Sequence, residues 1–576
     1  MPMIAEATIT LRDAQDAENP PEKLVRRQLA AVLGCSQREI NGFILKKKSL
    51  DARHGRVKFH LRYQVFTGSD KPDSVPPAPL EYKPCPPDGP QVVVVGSGPA
   101  GLFAALKLIQ SGVRPILLER GNPAPWRKRD IAAVSTRHEV NPDSNYCFGE
   151  GGAGTFSDGK LYTRSGKRGN VEGILRVFHH FGADSQILTD SHPHIGTDRL
   201  PSVIQAMTTT ILRCGGQVHF GCRCTGLLFD ANSRRVVGVE AVDLLLEGQP
   251  GSAGEAPSSP RQFYGEAVIL ATGHSATDVY QFLARQLPAA LEEKTFAMGL
   301  RVEHPRHVID NIQFHGAQKK VRLGAAEYRL VAQVEERGVY SFCMCPGGLV
   351  VPSSSCQEGL VVNGMSPSSR GGRWSNAAIV VEIHPQDFDL VIAQLEEALA
   401  EIGIDVAAAV AACGLEPPPL NEDEMSSGQG RGLYLRTLLE VLTKAHGQGQ
   451  QAPAQLLVDF LEKRESAALP RSSYAPGLVA SRLDQWLPPY LSQRLRIAFG
   501  EFNKKMRGFV CQEAVLIAAE TRTSTPIRIL RSPDTLECRA AAGLYPAGEG
   551  SGYSGGIVSS AMDGEAVAAA IIRKLG

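Results

Sequence analysis

Apolar and polar positions change rhythm several times along the 576 residues, and each change marks a different kind of element. Residues 4–11 (IAEATITL) alternate as a half-buried strand does, residues 22–32 have helical spacing, and residues 57–66 (VKFHLRYQVF) alternate again. Residues 1–85 therefore predict a small α+β unit, and the Pro-, Asp- and Ser-rich stretch at 67–90 reads as a linker. From Gln91 the alternation gives way to the unbroken run Val92-Val93-Val94-Val95, as expected for a strand buried on both faces of a parallel sheet. A glycine turn and a helical stretch follow. Farther on, VVGVEAVDLLL and QFYGEAVILATG read as a strand pair around residues 248–260, whose Gly, Pro and Ser content predicts a solvated hairpin tip. Helical periodicity at 388–402, 433–445 and 491–506 predicts three helices packing together as a lid or substrate-side subdomain.

Composition narrows this picture only slightly. A chain of this length exceeds one hydrophobic core, and 43% hydrophobic with 21% charged residues is ordinary for a folded protein. A net charge of +1 gives no global attraction to nucleic acid or to an anionic membrane. The N-terminus lacks the basic segment and apolar run of a secretory signal. The longest apolar stretch, residues 92–109, is broken by three glycines and a proline and makes a poor bilayer span. Twelve cysteines without short framework spacing predict reduced thiols in a cytosol-like compartment, cytoplasm or plastid stroma.

The chemistry starts at Gly96-Ser97-Gly98-Pro99-Ala100-Gly101, between the valine run and the helical stretch 102–110. Gly96 permits the tight turn, Gly98 lets backbone approach a pyrophosphate, and Gly101 lets the helix pack close to the strand. The helix start then offers unpaired N–H groups and partial positive charge to phosphate. Residues 115–118 form a second strand ending at Glu119, followed by Arg120. A carboxylate there accepts hydrogen bonds from an adenosine ribose and repels a 2′-phosphate, which favours FAD or NAD over NADP. The plainer alternative is a glycine-rich turn with no ligand.

Two later segments bear on the cofactor: the strand 267–270 leading into Ala271-Thr272-Gly273, and residues 543–550 leading through Gly555-Gly556 into a helical stretch at 557–575. Here the chain resembles the two-dinucleotide-binding flavoproteins. That resemblance implies that the turn at Gly548 and Glu549 holds the ribityl and pyrophosphate. It also implies that the helix from Ile557 points its positive end at the flavin, which stabilises negative charge on the ring. Glu549 stands where that superfamily usually has Asp. An NAD-only dehydrogenase has no need of this C-terminal return, so FAD is the expected cofactor.

A closer resemblance rests on KSLDAR (48–53), FGEGGAGTFSDGKL (148–161), HPHIGTDRL (192–200) and FAMGLRVEHP (296–305), and continues in YSFCMCPGG (340–348), APAQLLVDFL (452–461), ETRTSTPIRI (520–529) and GEGSGYSGGI (548–557). Over almost its whole length the chain resembles the bacterial and plastid family of uncharacterised FAD-dependent dehydrogenases with a small N-terminal domain. The resemblance implies an α/β fold: a Rossmann-like, glutathione-reductase-type FAD-binding domain with an inserted substrate or helical subdomain and a small N-terminal α+β domain. The expected division is 1–85 for the N-terminal domain, 86–295 for the first part of the FAD-binding domain, 296–515 for the substrate side and 516–576 for the C-terminal return. It further implies that the loop Gly152-Ala153-Gly154-Thr155 passes the flavin ring and that Cys224 lies on the strand touching the adenine.

Other motifs have a sharp and a plain reading. Lys160 is a candidate to hold an anionic substrate or the flavin O4, against a surface lysine. Cys343 and Cys345, if strand-like, share one face and suggest electron relay beside a flavin, against small residues packed around a pocket. Adding Cys222 and Cys224 makes a four-thiolate zinc site on paper, which a strand setting disfavours, so no metal is expected. Gly552-Tyr553-Ser554-Gly555-Gly556 has the spacing of a hydrolase elbow, but no histidine follows His446 to complete a triad. His192 and His194 read as a turn with exposed imidazoles. The run Lys46-Lys47-Lys48 reads as a solvated face, without the aromatic interleaving of a nucleic-acid platform.

The expected function is an FAD-dependent oxidoreductase moving a hydride or electron pair between a small organic substrate and the flavin. Only one complete pyrophosphate turn with a downstream acid is present, so reducing power comes from substrate, a transiently bound NAD(P)H or a redox protein. Neither nucleic acid nor membrane is an expected partner. The alternatives are a scaffold or RNA-associated protein with structural FAD, and a flavin monooxygenase.

Overall fold

The computed structural model describes residues 3–10, 20–52, 57–70, 80–163, 169–244, 260–316, 323–416 and 430–576. Most of the 248–260 hairpin tip, part of the 67–90 linker and Arg53 lie outside the described residues.

The valine run forms the middle of a five-stranded parallel sheet, in the order Leu544–Pro546, Ala267–Leu270, Gln91–Val95, Arg114–Glu119, Gln217–Phe220. Strands from both ends of the chain thus stand side by side, with Val95 opposite Leu270 and Leu270 opposite Pro546. The helices Pro99–Gln110, Val171–His180, Leu200–Arg213 and Ile557–Leu575 share one apolar core with this sheet. The first and last of them touch backbone to backbone, since a Cβ at Gly564 would stand 2.0 Å from the Ala100 carbonyl oxygen. The predicted strand pair appears within a three-stranded antiparallel sheet, Cys222–Phe229, Val236–Asp243 and Arg261–Tyr264, with Ala267–Leu270 turning into the parallel sheet.

A second large sheet carries the middle of the chain. Its seven strands run in the order Val331–Val334, Arg337–Cys345, Trp374–Ile383, Phe296–Pro305, Val515–Glu520, Ala452–Leu456, Leu478–Ala480, antiparallel except for the last pair. The helices Phe388–Glu401, Arg431–Ala445 and Pro489–Lys505 appear where the 3.6-residue rhythm predicts them, with apolar faces in the core of this sheet. They are not a lid: none of the three lines the cavity described below. Periodicity finds an apolar face but not the surface that will cover it.

At the N-terminus, Met3–Thr10, Lys58–Thr67 and Ile40–Asp51 form an antiparallel sheet with Lys58–Thr67 central, and Val25 and Leu29 of the helix Glu22–Leu33 pack on it. Lys46 and Lys47 are exposed, while Lys48 exchanges backbone hydrogen bonds with Thr189 and Ser191 at 2.8 Å, docking the sheet's edge on the rest of the protein. The expectation of reduced thiols needs one correction, because Cys356 and Cys413 are disulfide-bonded. They lie 57 residues apart, so no framework spacing announces the pair. Among the described residues no helix is long and apolar enough to cross a membrane, and no group of three or more His, Cys, Asp or Glu is placed to hold a metal ion.

Candidate functional site

A cavity of about 610 Å³ opens along the C-terminal ends of the parallel strands, where open α/β sheets bind ligands. The strand Gln91–Val95 ends at Gly96, whose φ of +101° suits a glycine and whose Cβ position lies 2.4 Å from the Ala271 carbonyl oxygen. Gly98 is the N-cap of the helix Pro99–Gln110, and no side chain caps that helix. The helix Ile557–Leu575 starts in the same way, after Gly556 and without a side-chain cap. Both helix starts line the cavity, so two sets of unpaired N–H groups and two positive dipole ends face one space.

The cavity brings together most of the residues singled out in the sequence. Gly96, Gly98, Pro99, Ala100, Glu119, Arg120, Gly152, Ala153, Gly154, Cys224, Thr272, Gly273, Gly548, Glu549, Gly555, Gly556 and Ile557 all line it, as do Lys160, Cys343 and Cys345. Three do not. Ser97 is fully buried and turned toward Glu119. Gly101 packs the helix, since its Cβ would stand 1.9 Å from the Gly96 carbonyl oxygen. Thr155 is buried and donates its hydroxyl to the Glu150 carbonyl at 2.7 Å.

Glu119 is more deeply engaged than its place at a strand end suggests. One carboxylate oxygen accepts from the Ser97 amide at 3.0 Å and hydroxyl at 2.7 Å, and the other from the amides of Gly121 and Gly149, both at 2.9 Å. These bonds occupy about all the acceptor positions of a carboxylate. A ribose hydroxyl reaching Glu119 therefore has to share a position with Ser97, whose hydroxyl can rotate.

At one end of the cavity Arg120 lies 4.4 Å over the Phe148 ring and is held by Asp143 and Asp278 at 2.8 and 3.0 Å. Beside it stand Cys222 and Cys224, whose thiols burial pushes up to about 12; they are packed, un-ionised side chains. In the middle, the glycine loop is fixed from below by the fully buried Arg127, which donates to the carbonyls of Asn145, Tyr146, Glu150 and Gly152 at 2.7 to 3.0 Å. The loop's backbone passes close to the glycine turn after Val95: a Cβ at Gly152 would stand 3.0 Å from Gly98 Cα.

At the other end the seven-stranded sheet supplies the wall. Lys160 is not a surface lysine; its side chain is 15% exposed, 3.4 Å from Asp158 Oδ2 and 3.9 Å from Cys345 Sγ. The two thiols do not share a strand face, because the pairing of Arg337–Cys345 is irregular between Phe342 and Cys345 and Cys343 has a φ of +44°. Cys343 is exposed and Cys345 buried. His192 is exposed on Glu327 at 2.9 Å, but His194 is half-buried on the Ser368 carbonyl at 2.9 Å, so only the first is an exposed imidazole.

The sequence reading missed Arg522, Cys147, His274, Tyr328 and Asn363, which also line the cavity. Arg522 had a signal. It follows Glu520 and Thr521 at the end of a buried strand, where a charge needs a partner. That partner is Glu440, with bonds of 3.0 and 2.8 Å.

Glu549 lines the cavity half-buried, and burial, opposed by Lys294, pushes its carboxyl up to about 7. A folded-state value above the ordinary 4.5 means that ionisation costs stability as pH rises through that interval. In flavin-free protein, Glu549→Gln is expected to gain stability over the parent between pH 4.5 and 7 and to hold that gain above. The gain is on the order of 1 kcal/mol, water access weakening the full linkage value. Urea unfolding at a series of pH values checks it; a difference that stays flat with pH contradicts the assignment.

Comparison with known proteins adds the following. Residues 295–402 and 407–523 match the family described as FAD-dependent protein, C-terminal domain-like. Residues 90–129 match the FAD binding domain, and residues 1–66 match a domain of unknown function. A protein of Clostridium beijerinckii described as an uncharacterized protein is 33% identical, with 96% of each chain covered. Among solved structures, THI4 of Thermovibrio ammonificans is 18% identical, covering 36% of this chain and 67% of its own at a TM-score of 0.23. The glycerol-3-phosphate dehydrogenase of Bacillus halodurans, complexed with FAD, is 10% identical, covering 52% and 48% at 0.25.

Proposed function

Because this chain belongs to a family of FAD-dependent proteins, we propose that it is an oxidoreductase passing a hydride or electron pair between a small organic substrate and FAD. The observation that carries this reading is the convergence of two uncapped helix starts, at Pro99 and Ile557, on one cavity. A structural nucleotide site needs the first of these; the second serves a group whose negative charge rises during the reaction.

In this reading the amides from Gly98 to Ala100 neutralise the pyrophosphate, and the end formed by Arg120, Cys222 and Cys224 takes the adenine. The loop Gly152–Gly154 and the helix start at Ile557, which meet where the Ile557 side chain packs on Gly154, would border the flavin, and the turn Gly548-Glu549 would hold the ribityl and pyrophosphate. Bound FAD supplies two-electron acceptor and donor chemistry that no side chain has. The protein's part is to fix the ring by backbone, to offer N–H groups where charge develops, and to shield it behind the wall from Tyr340 to Cys345. The second electron partner in this reading is a transiently bound nicotinamide or a redox protein.

The test is an anaerobic titration of the yellow protein with NADH, NADPH and a panel of small organic reductants, followed by its visible spectrum. Bleaching by at least one of them is expected. A spectrum that no reductant of physiological potential bleaches would mark a structural flavin and end the proposal.

A further inference from the structure

The cavity runs on past the glycine loop to a cation, Lys160, whose partners are few and distant. An ammonium has three donors; that of Lys160 makes a long hydrogen bond to Cys345 Sγ at 3.9 Å and an ion pair with Asp158 Oδ2 at 3.4 Å, which leaves room for a further acceptor. Asp158 is shared between two cations, because the same Oδ2 accepts from Arg370 at 2.8 Å. Arg370 also pairs with Glu327. Around this end stand two carboxylates, Asp158 and Glu327, and three cations, Lys160, Arg370 and the exposed Arg329, which also lines the cavity. The surplus is positive.

The backbone that carries this ammonium is fixed in place. Lys160 forms a bridge with His194, flanked by Leu161 N to Pro193 O at 2.8 Å and Ile195 N to Gly159 O at 3.1 Å. Burial opposes its charge, but the sulfurs of Cys345 and Cys343 and the Asp158 carboxylate raise its pKa overall, so it stays protonated. Beside it the walls are aromatic. Tyr162 lies against His192 with ring centres 4.7 Å apart, and Tyr340 and Phe342 pack on Ala297, Ala378 and Val380. All three aromatic residues line the cavity. A preorganised cation among flat apolar walls suits a molecule with one anionic end and an unsaturated body.

We propose that this end is a carboxylate-binding subsite anchored by Lys160, and that the oxidoreductase described above acts on small organic acids with a flat, apolar body. The inference rests on that reading for the chemistry but not for the binding. Its probe is benzoate, compared with benzamide, which has the same shape and no charge, by calorimetric titration of the full chain. Benzoate should bind about 10- to 100-fold more tightly than benzamide, the worth of a charge-assisted hydrogen bond. Lys160→Met should remove this preference, and Lys160→Arg should keep part of it.

Equal binding of the two probes, or no benzoate binding, overturns the proposal, and this comparison stands on the parent protein even where Lys160→Met fails to fold. If Lys160 instead serves the flavin, Lys160→Met shifts the visible spectrum of the ligand-free enzyme and leaves benzoate affinity unchanged, which also overturns it. The flavin spectrum reports separately on the oxidoreductase reading. A colourless protein that still prefers benzoate sinks that reading and keeps the subsite; a yellow, reducible protein indifferent to benzoate does the reverse.

Discussion

Gly98→Val is expected to give a folded protein that purifies without a yellow chromophore. A Cβ at Gly98 would meet no protein atom nearer than Gly152 Cα, 3.9 Å away, and its φ of −69° is open to any residue. The fold therefore tolerates the side chain. The added atoms would occupy the space at the helix start where the proposed site takes its pyrophosphate, so the cost is expected to fall on the ligand. FAD affinity should drop by about 100-fold or more, corresponding to roughly 3 kcal/mol of lost phosphate contact. Gly101→Ala is the contrasting control, because its Cβ would sit 1.9 Å from a backbone oxygen. That variant should lose stability before it loses anything specific to the cofactor. Thermal melting of the flavin-free proteins, read beside FAD content, separates the two; a yellow Gly98→Val protein contradicts the placement of the pyrophosphate.

Glu440→Ala should produce the largest loss of stability among single changes near the cavity. The Glu440 carboxylate holds Arg522 by two bonds, accepts from Thr521 Oγ1 at 2.7 Å and lies 3.9 Å from Arg436 Nε. All three charged side chains are at most 7% exposed. Removing the one carboxylate strands two buried guanidinium groups, and a broken buried pair typically costs about 3–5 kcal/mol. Arg522 lines the cavity, so FAD retention should fall together with the denaturation midpoint. Chemical unfolding followed by flavin release measures both, and an unchanged midpoint would mean that the network is not closed as described.

The elements that could be read from the sequence were those whose pattern is self-contained. The valine run, the three glycines and Glu119 lie within about thirty residues, and each carries its reason locally: a doubly buried strand, a turn, a close approach. The return at Gly548 to Ile557 was legible for the same reason. Lys160 was singled out as a candidate, but its burial was not legible, because what buries it arrives from Cys345 while its companion Asp158 is held by Arg370, and no spacing rule links those distances. One central strand of the seven-stranded sheet was obscured by buried polar side chains, since Arg301, Glu303 and His304 lie inside Phe296–Pro305 and break its apolar run. Arg301 is offset there by Glu520 at 3.0 Å, a partner 219 residues away. The lysine run likewise hid the strand Ile40–Asp51, whose edge carries backbone bonds that leave no trace in side-chain pattern.

The most direct test of the account is a titration of FAD into the flavin-free full-length chain, followed by flavin fluorescence. Saturable binding at one FAD per chain with micromolar or tighter affinity is the predicted result. Fluorescence that tracks added FAD with no saturation would mean that the two helix starts do not form a flavin site.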